Sequence, residues 1–430
     1  MAISGRAGLL ALAGALIVGL LLPSWGGIFL VTAVVLAVIA VDLLLAGSVS
    51  ALEFTRGGDR TVRLGEPASV TLTIHNPGRA RIRGLLRDAW PPSAGASDRH
   101  TLDIPGGATR VVTTALLPTR RGDRIAHRVT VRAFGPLGLA ARQGSHAVAG
   151  TIRVLPPFTS RKHLPSRLDR LRDLDGRLRT LARGQGSEFD SLRTYVAGDD
   201  VRSIDWRATA RSTDVMVRTW RPERDRHLMI VLDTGRTSAG RVGDIPRLDA
   251  AMDAALLLAA LASRAGDRVD LIAYDRQVRA SVQGATAAEL LPAMVNSMAA
   301  VQPVLVESDA SGIVAQVLRR SRRRSLVVLL TGLDPDPLEQ GLLPILHTLT
   351  ARHLVLLAAV ADPRIQEMAQ ARGDAEAVFD AAAAARATQE RAHVAALLRR
   401  RGVHVVDATP DELAPALADK YLALKSEGRL

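Results

Sequence analysis

The chain has 430 residues, no cysteine, a formal net charge of +13 and an aromatic content of only 3%. That length suits about two or three domains with at least one large core, and the lack of cysteine excludes disulfides, thiolate metal sites and cysteine nucleophiles. The positive charge is almost all arginine, with lysine only at Lys162, Lys420 and Lys425, so it reads as a compositional bias and leaves attraction to anionic lipid or an acidic partner open.

No charged residue occurs between Arg6 and Asp42, and this apolar run is divided at Pro23-Ser24-Trp25-Gly26-Gly27. Two helices joined by a tight turn are predicted, over residues 8–22 and 28–45, forming a transmembrane hairpin within residues 1–47. A cleaved signal peptide is the rival, but the second apolar run follows at once and no A-x-A site separates the two. Arg6 precedes the first helix, Arg56, Arg60 and Arg63 follow the second, and the turn carries no basic residue. The positive-inside rule therefore places both ends, and everything after residue 50, in the cytoplasm of a cell whose inner membrane holds residues 8–45. Asp42 is expected at the inner end of the second helix, with its carboxylate reaching the headgroups.

Residues 48–156 change to short alternating runs at 62–64, 69–74, 108–117, 126–134 and 151–155, punctuated by Asn76-Pro77-Gly78, Pro105-Gly106-Gly107 and Arg121-Gly122-Asp123. Frequent short strands with turn signals predict an antiparallel β-sandwich of immunoglobulin-like type. Its histidines, His75, His100 and His127, are read as structural. A basic connector follows, with Leu164, Leu168, Leu171, Leu174, Leu178 and Leu181 near helical spacing. These leucines are expected to pack on a domain with the arginines solvated, a membrane-surface helix being the alternative.

Residues 184–211 are the densest mixture of acids, arginines, aromatics and glycines in the chain. Glu188, Asp190, Asp199, Asp200 and Asp205 alternate with Arg193, Arg202, Arg207 and Arg211, among Phe189, Tyr195 and Trp206. Gly184, Gly186 and Gly198 suit tight turns, and Asp199 or Asp200 suits the cap of a short helix with Val201, Ile204 and Ala208 on its apolar face. Interleaved arginine and aspartate can lock such a segment against its neighbours through bidentate hydrogen bonds, so it is expected to act as a buried clamp, with Arg202, Asp205, Trp206 and Arg211 foremost. A solvated surface segment laced with weak ion pairs is the plainer alternative.

The run from Ser187 to Arg211, S-E-F-D-S-L-R-x-Y-x-x-G-D-D-V-R-S-I-D-W-R-A-T-A-R, resembles the signature of the DUF58 family, and the likeness continues through Val217, Arg218, Pro222, Glu223 and Arg224. Segments near Arg121 and from Phe134 to Leu139 resemble the same family more loosely. The resemblance implies a membrane-associated protein without assigned molecular function that partners a MoxR-type AAA+ ATPase in the assembly, maturation or insertion of other complexes. Connector and signature together occupy residues 157–225.

From residue 226 to 430, strands and helices alternate. Strands are predicted at 227–233, 269–274, 325–331, 353–360 and 403–407, with helices at 248–263, 287–298, 313–318, 338–350, 375–400 and 410–425. Continuous apolar strands between helices indicate a parallel sheet covered on both faces, a doubly wound α/β domain that binds ligands at the carboxyl ends of its strands. That end carries Asp233-Thr234-Gly235-Arg236-Thr237. The run resembles the D-x-S-x-S metal motif of von Willebrand factor A domains, which implies a Mg²⁺ site completed by a partner's carboxylate. Gly235 departs from the first serine of that motif, Thr237 keeps the second hydroxyl, and Ser308 and Asp334 match the remaining positions.

No Walker lysine, G-x-S-x-G elbow, H-E-x-x-H or Ser-His-Asp order is present, and His227, His347, His353, His393 and His404 are scattered over apolar elements. The reading is a membrane-anchored scaffold that is not an enzyme. The rivals are a metal-dependent enzyme using Asp233, Asp334 and the signature carboxylates, and a nucleic-acid binder through residues 319–324, which lacks nearby stacking aromatics.

Overall fold

The structure is a computed structural model that describes residues 2–181, 188–221, 226–371 and 373–430. The turns expected at Gly184 and Gly186, the motif's start at Ser187 and its continuation at Pro222, Glu223 and Arg224 lie outside the described residues, as do the side chains of Glu188 and Asp190. The chain forms two compact units, Met1–Leu155 and Pro156–Leu430.

The first unit opens with a short strand β1 (Ala2–Ile3), helix α1 (Gly5–Leu21) and helix α2 (Trp25–Leu45), the last capped by the Ser24 hydroxyl accepting from Gly27 N. Among the described residues only α2, at 21 residues and a mean hydropathy of 2.9, is long and apolar enough to cross a membrane, while α1 has 17 residues. Eight strands follow: β2 (Glu53–Gly58), β3 (Thr61–Arg63), β4 (Ala68–His75), β5 (Ile82–Ala89), β6 (Arg99–Ile104), β7 (Thr109–Leu116), β8 (Gly122–Phe134) and β9 (Ala140–Leu155). One sheet runs β1-β9-β8-β5-β6 with β3 alongside β9, and the other runs β2-β4-β7. Val49, Leu72, Ile74, Ile82, Leu86, Leu102 and Val131 share one core between them. A second, smaller core holds Val70, Trp90, Leu116 and Ile152. The Arg56–Asp88 pair is buried beside that Trp90, with Arg56 Nη2 2.7 Å from Asp88 Oδ1 and Trp90 Nε1 donating to Asp88 Oδ2 at 2.8 Å.

Asp42 corrects the headgroup expectation. Its carboxylate is fully buried and accepts from the backbone N–H groups of Leu137 at 2.7 Å, Leu139 at 2.7 Å and Ala140 at 3.0 Å. The turn between β8 and β9 is thus a socket for the end of α2, and β1 pairs with Ala140 and Ala141 on the same strand.

The second unit begins with a short 3₁₀ turn, Thr159–His163, and α3 (Leu164–Leu181), the predicted connector helix. As expected, it packs on the domain, with Leu171 buried, but Arg167, expected in solvent, is largely buried and pairs with Asp419 at 2.9 Å, beside the exposed Arg170 at 2.7 Å. An antiparallel ribbon follows, β10 (Glu188–Thr194) and β11 (Met216–Arg221), enclosing the one-turn helix α4 (Trp206–Thr209). The single helix expected over Val201, Ile204 and Ala208 does not form. Asp200 caps a 3₁₀ turn, Val201–Ser203, after which Ile204 bridges to Val217 in extended backbone and Asp205 caps α4 as a separate turn.

The α/β domain proceeds through β12 (His227–Asp233), α5 (Arg236–Ala239), the small hairpin β13 (Arg241–Val242) and β14 (Ile245–Pro246), α6 (Arg247–Arg264), β15 (Arg268–Tyr274), β16 (Val278–Val282), α7 (Leu290–Ala299), α8 (Ala310–Arg320) and β17 (Leu326–Leu330). It ends with α9 (Leu346–Thr350), β18 (Leu354–Val360), α10 (Pro363–Gln370), α11 (Ala375–Arg400), β19 (His404–Ala408) and α12 (Pro410–Ser426). The sheet order is β16-β15-β12-β17-β18-β19, parallel throughout except for the antiparallel edge β16. Met229, Val231, Val327, Leu329, Val355 and Leu357 face α8, α9 and α11. On the opposite face α6 and α12 pack together against the sheet, and α6, apolar nearly all round, is buried along most of its length. The helix expected over 338–350 is instead a π-helical turn, Pro337–Leu342, followed by α9. Pro344 lies between them and has no N–H to continue a helix ladder.

Candidate functional site

The parallel strands deliver their carboxyl ends to one edge of the sheet, and that geometry assembles the site. The segment before α8 runs alongside the end of β12, with Val304 N donating to Thr234 O and Arg236 N to Val306 O, each at 2.8 Å. Ser308 is thereby carried onto Asp233. The Asp233 carboxylate is buried, and its Oδ1 accepts from Gly235 N at 2.8 Å and from the Ser308 hydroxyl. Its Oδ2 accepts from Thr237 Oγ1 at 3.1 Å and Thr331 Oγ1 at 2.5 Å.

Gly235 acquires a reason here. A Cβ at this position would lie 2.2 Å from Ser308 Oγ, so the residue that departs from the motif is what admits the Ser308 hydroxyl. Thr331 was not singled out in the sequence; the signal available was a hydroxyl directly after an apolar strand that points at the same edge.

Asp233, Thr237, Ser308 and Thr331 line a cavity of about 50 Å³ whose floor includes Val231, Ile313 and Leu329. Asp334 does not line the cavity but neighbours Gly332, which does; its Oδ2 is buried, free of hydrogen bonds among the described residues and 3.7 Å from Arg247 Nη1. Behind the site, Thr234 donates to Asp275 at 3.1 Å. Burial opposes ionisation of Asp275, but Arg279 at 2.7 Å and the backbone N–H groups of Arg276 and Gln277 hold its pKa below the usual carboxylate range. The rim is fixed on the other side by Arg236, which pairs with Glu307 at 2.8 Å.

The donor chemistry suits a hard divalent cation. Asp233, Asp334, Thr237, Ser308 and Thr331 offer only oxygen, as Mg²⁺ prefers; among the described residues no group of three or more His, Cys, Asp or Glu could hold a metal ion, so this set has two carboxylates and relies on hydroxyls for the rest.

The signature residues form a different surface. Arg193 grips Asp199 through two hydrogen bonds, at 2.7 and 2.5 Å. That contact and Val196 N hold the Asp199 pKa below its usual value. Asp205 accepts from Arg207 N and Ala208 N, each at 3.0 Å, and from Arg218 Nε at 2.8 Å. Tyr195 is fixed by its backbone, donating to Val215 O at 2.7 Å, and Gly198 takes a φ of 107° in the turn. Trp206 is 69% exposed, and Arg202 and Arg211 are exposed and make no ion pair among the described residues. The expected buried clamp is therefore corrected: the charged pairs lie on the outside of a two-stranded ribbon, where water screens them. Among the described residues, no hydrogen bond or ion pair joins this ribbon to Asp233.

A Ser, His and Asp arrangement invisible in the chain order lies at the opposite end of the sheet. His227 Nε2 is 2.9 Å from Asp270 Oδ2, and its Nδ1 is 3.0 Å from both Ser321 Oγ and Ser325 Oγ. Both serines are 4% exposed and Ser325 donates to Arg323 O at 3.0 Å, so the group closes the amino ends of the strands as an internal network. Beside it, His353 is buried with both ring nitrogens lacking partners among the described residues. Burial first, then His227 and Arg352, push its pKa down.

What fold and site define is a two-unit chain: a two-sheet β unit carrying an N-terminal apolar helix, and an α/β domain with an oxygen-lined cluster at its strand ends. The chain belongs to the DUF58 family, described as proteins of unknown function, which matches residues 191–406. An uncharacterised protein of Mycobacterium bovis and its counterparts in two strains of Mycobacterium tuberculosis are each 29% identical over 188 residues, covering 43% of this chain. The match spans 58% of the length of those curated relatives. Among solved structures, a Listeria innocua β-glucosidase matches with a TM-score of 0.17 at 15% identity, covering 24% of this chain and 16% of the enzyme. The CARDB domain of a Pyrococcus furiosus protein, in complex with two metal ions, matches with a TM-score of 0.18 at 15% identity, covering 24% of this chain and 89% of that domain. At these scores neither likeness bears on function.

Proposed function

We propose that the chain is a membrane-anchored adaptor. In this reading α1 and α2 form a hairpin through the inner membrane with both ends cytoplasmic, and the second unit is a von Willebrand factor A-type domain. That domain holds a divalent cation at Asp233, Thr237, Ser308, Thr331 and Asp334 and, through it, captures a carboxylate of a MoxR-type AAA+ ATPase. When bound, the cation supplies a positive anchor for that carboxylate. Asp233, Ser308 and Thr331 are positioned by the strand ends, and Leu305, 79% exposed between the two backbone contacts that place Ser308, offers an apolar anchor beside the cluster.

The observation that carries the reading is the convergence of three hydroxyls and a backbone N–H on the buried Asp233 carboxylate, at the edge where parallel sheets bind their ligands. Support for the hairpin comes from the pairing of Ala2 and Ile3 with β9 and the seating of Asp42 in the turn before β9, which hold the start of α1 and the end of α2 to one sheet.

The test uses the full chain in detergent, immobilised, with the purified MoxR-type ATPase of the same organism free of nucleotide. Retention is expected with Mg²⁺, and is expected to be lost in EDTA or in Asp233→Ala. Retention that survives both changes refutes the cation-bridged reading.

A further inference from the structure

Arg247 occupies a position that its own fold does not reward. It is the first residue of the 18-residue α6, where a cation opposes the helix dipole. Its backbone N–H is fixed on Gly240 O at 2.8 Å, its side chain is only 19% exposed, and its Nε is buried without a hydrogen-bond partner among the described residues. Buried donors without acceptors are costly, so a role outside helix stability is indicated.

The charge that Arg247 faces is Asp334, whose Oδ2 is likewise buried and free of hydrogen bonds among the described residues. The two groups stand 3.7 Å apart, within electrostatic reach but beyond a hydrogen bond. Asp334 neighbours the Asp233 cluster: a methyl group on Gly332, which lines the cavity, would lie 2.3 Å from Asp334 Oδ2 and 3.2 Å from the Thr237 Cβ. The other nearby cation, Arg236, is engaged by Glu307, and Asp233 already has its donors.

We propose that Arg247 is a resident competitor for the cation site. Its guanidinium neutralises Asp334 while no divalent ion is bound, and its charge sets the ion's affinity low, so occupancy follows the ion or the arrival of a partner that draws Arg247 away. The inference rests on the reading of the Asp233 cluster as a cation site.

The experiment is calorimetric titration of the EDTA-dialysed full chain in detergent with Mn²⁺ and Mg²⁺, paired with melting curves at fixed metal. The variants are Arg247→Gln, Arg247→Met, Arg247→Lys and Asp233→Ala. Removing a like charge at this range is expected to tighten binding at least about tenfold in Arg247→Gln and Arg247→Met, and to enlarge the metal-induced rise in melting temperature. Arg247→Lys should stay near wild type and Asp233→Ala should bind nothing. Uptake by the neutral variants but not by wild type also supports the proposal. Equal affinity in wild type and both neutral variants overturns the competitor while the site stands. No uptake by any variant overturns the cation site, and the competitor with it.

Discussion

Replacing Asp42 by alanine removes the acceptor that seats α2 in the β8–β9 turn. The carboxylate is fully buried, and its partners at Leu139 and Ala140 are buried contacts, whereas the Leu137 contact is only partly so. Each buried N–H left without an acceptor costs ~1–3 kcal/mol, so these two give about 2–6 kcal/mol, with Leu137 N free to turn toward water. Asparagine keeps one acceptor oxygen but turns an NH₂ toward the remaining amides, so about half of the loss should persist. Hydrogen exchange on the full chain in detergent reads this directly, because protection of the Leu139 and Ala140 amides should fall sharply in Asp42→Ala and the melting temperature should drop. Wild-type exchange at both amides with an unchanged melting temperature would refute the socket. That is the outcome expected of a carboxylate that merely reaches the lipid headgroups.

Four further outcomes follow from the same geometry. Gly235→Ser, which restores the motif's serine, should weaken the site, because its Cβ meets Ser308 Oγ at 2.2 Å; thermal melts should show a loss of about 1–3 kcal/mol, and titration a loss of Mn²⁺ uptake. Trp206→Ala should leave stability within about 0.5 kcal/mol of wild type, since the indole is 69% exposed, and a large fall in melting temperature would mean that it is buried against a neighbour. His353 keeps a folded pKa below its ordinary 6.5, so it stays neutral in the fold and protonates on unfolding; its contribution is full above about pH 6.5 and is lost as pH falls, and His353→Leu should flatten the acid limb of a melting-temperature profile against pH. A fluorescent reporter that matures only in the cytoplasm should light up when fused after Leu430, and a silent fusion would reverse the proposed orientation.

The sequence was most legible where burial is two-sided. β12, β15, β17 and β18 are apolar without interruption because helices cover both faces, so strand length and continuity identify them. The edge strand β16, with the sequence Val-Arg-Ala-Ser-Val, is covered less and carries no such run. In the first unit, β5 and β6 were not predicted because Arg83, Gly84, Arg87 and Asp103 interrupt their apolar residues. Long-range partners defeated local periodicity elsewhere. Ile204 is drawn out of a helix by its bridge to Val217, and Asp42 finds its acceptor role 95 to 98 residues away. The Asp233 site was legible through the rule that ligands bind at strand ends. The reason for glycine at position 235 was not, since it depends on the close approach of Ser308, which no spacing encodes.

Partnership sets Asp334 apart from the buried structural carboxylates. Asp88 is matched by Arg56, Trp90 and Thr114, and Asp253 by Thr159 and Ser160. Asp267 is matched by Lys425 and Tyr421, and Asp270 by His227 and Gly284. Each of these lies inside its own unit and closes a joint between elements, with hydrogen-bond donors set against the cost of burial. Asp334 breaks the pattern with an oxygen that is buried yet unmatched by any hydrogen bond among the described residues, facing the Arg247 guanidinium at ion-pair distance but beyond a hydrogen bond. The Asp334 side chain is 39% exposed, and with only Arg247 opposite its Oδ2 it is, in the proposed reading, the oxygen left for the cation. That oxygen lies beside the Asp233 cluster, at the edge of the sheet where a ligand has access.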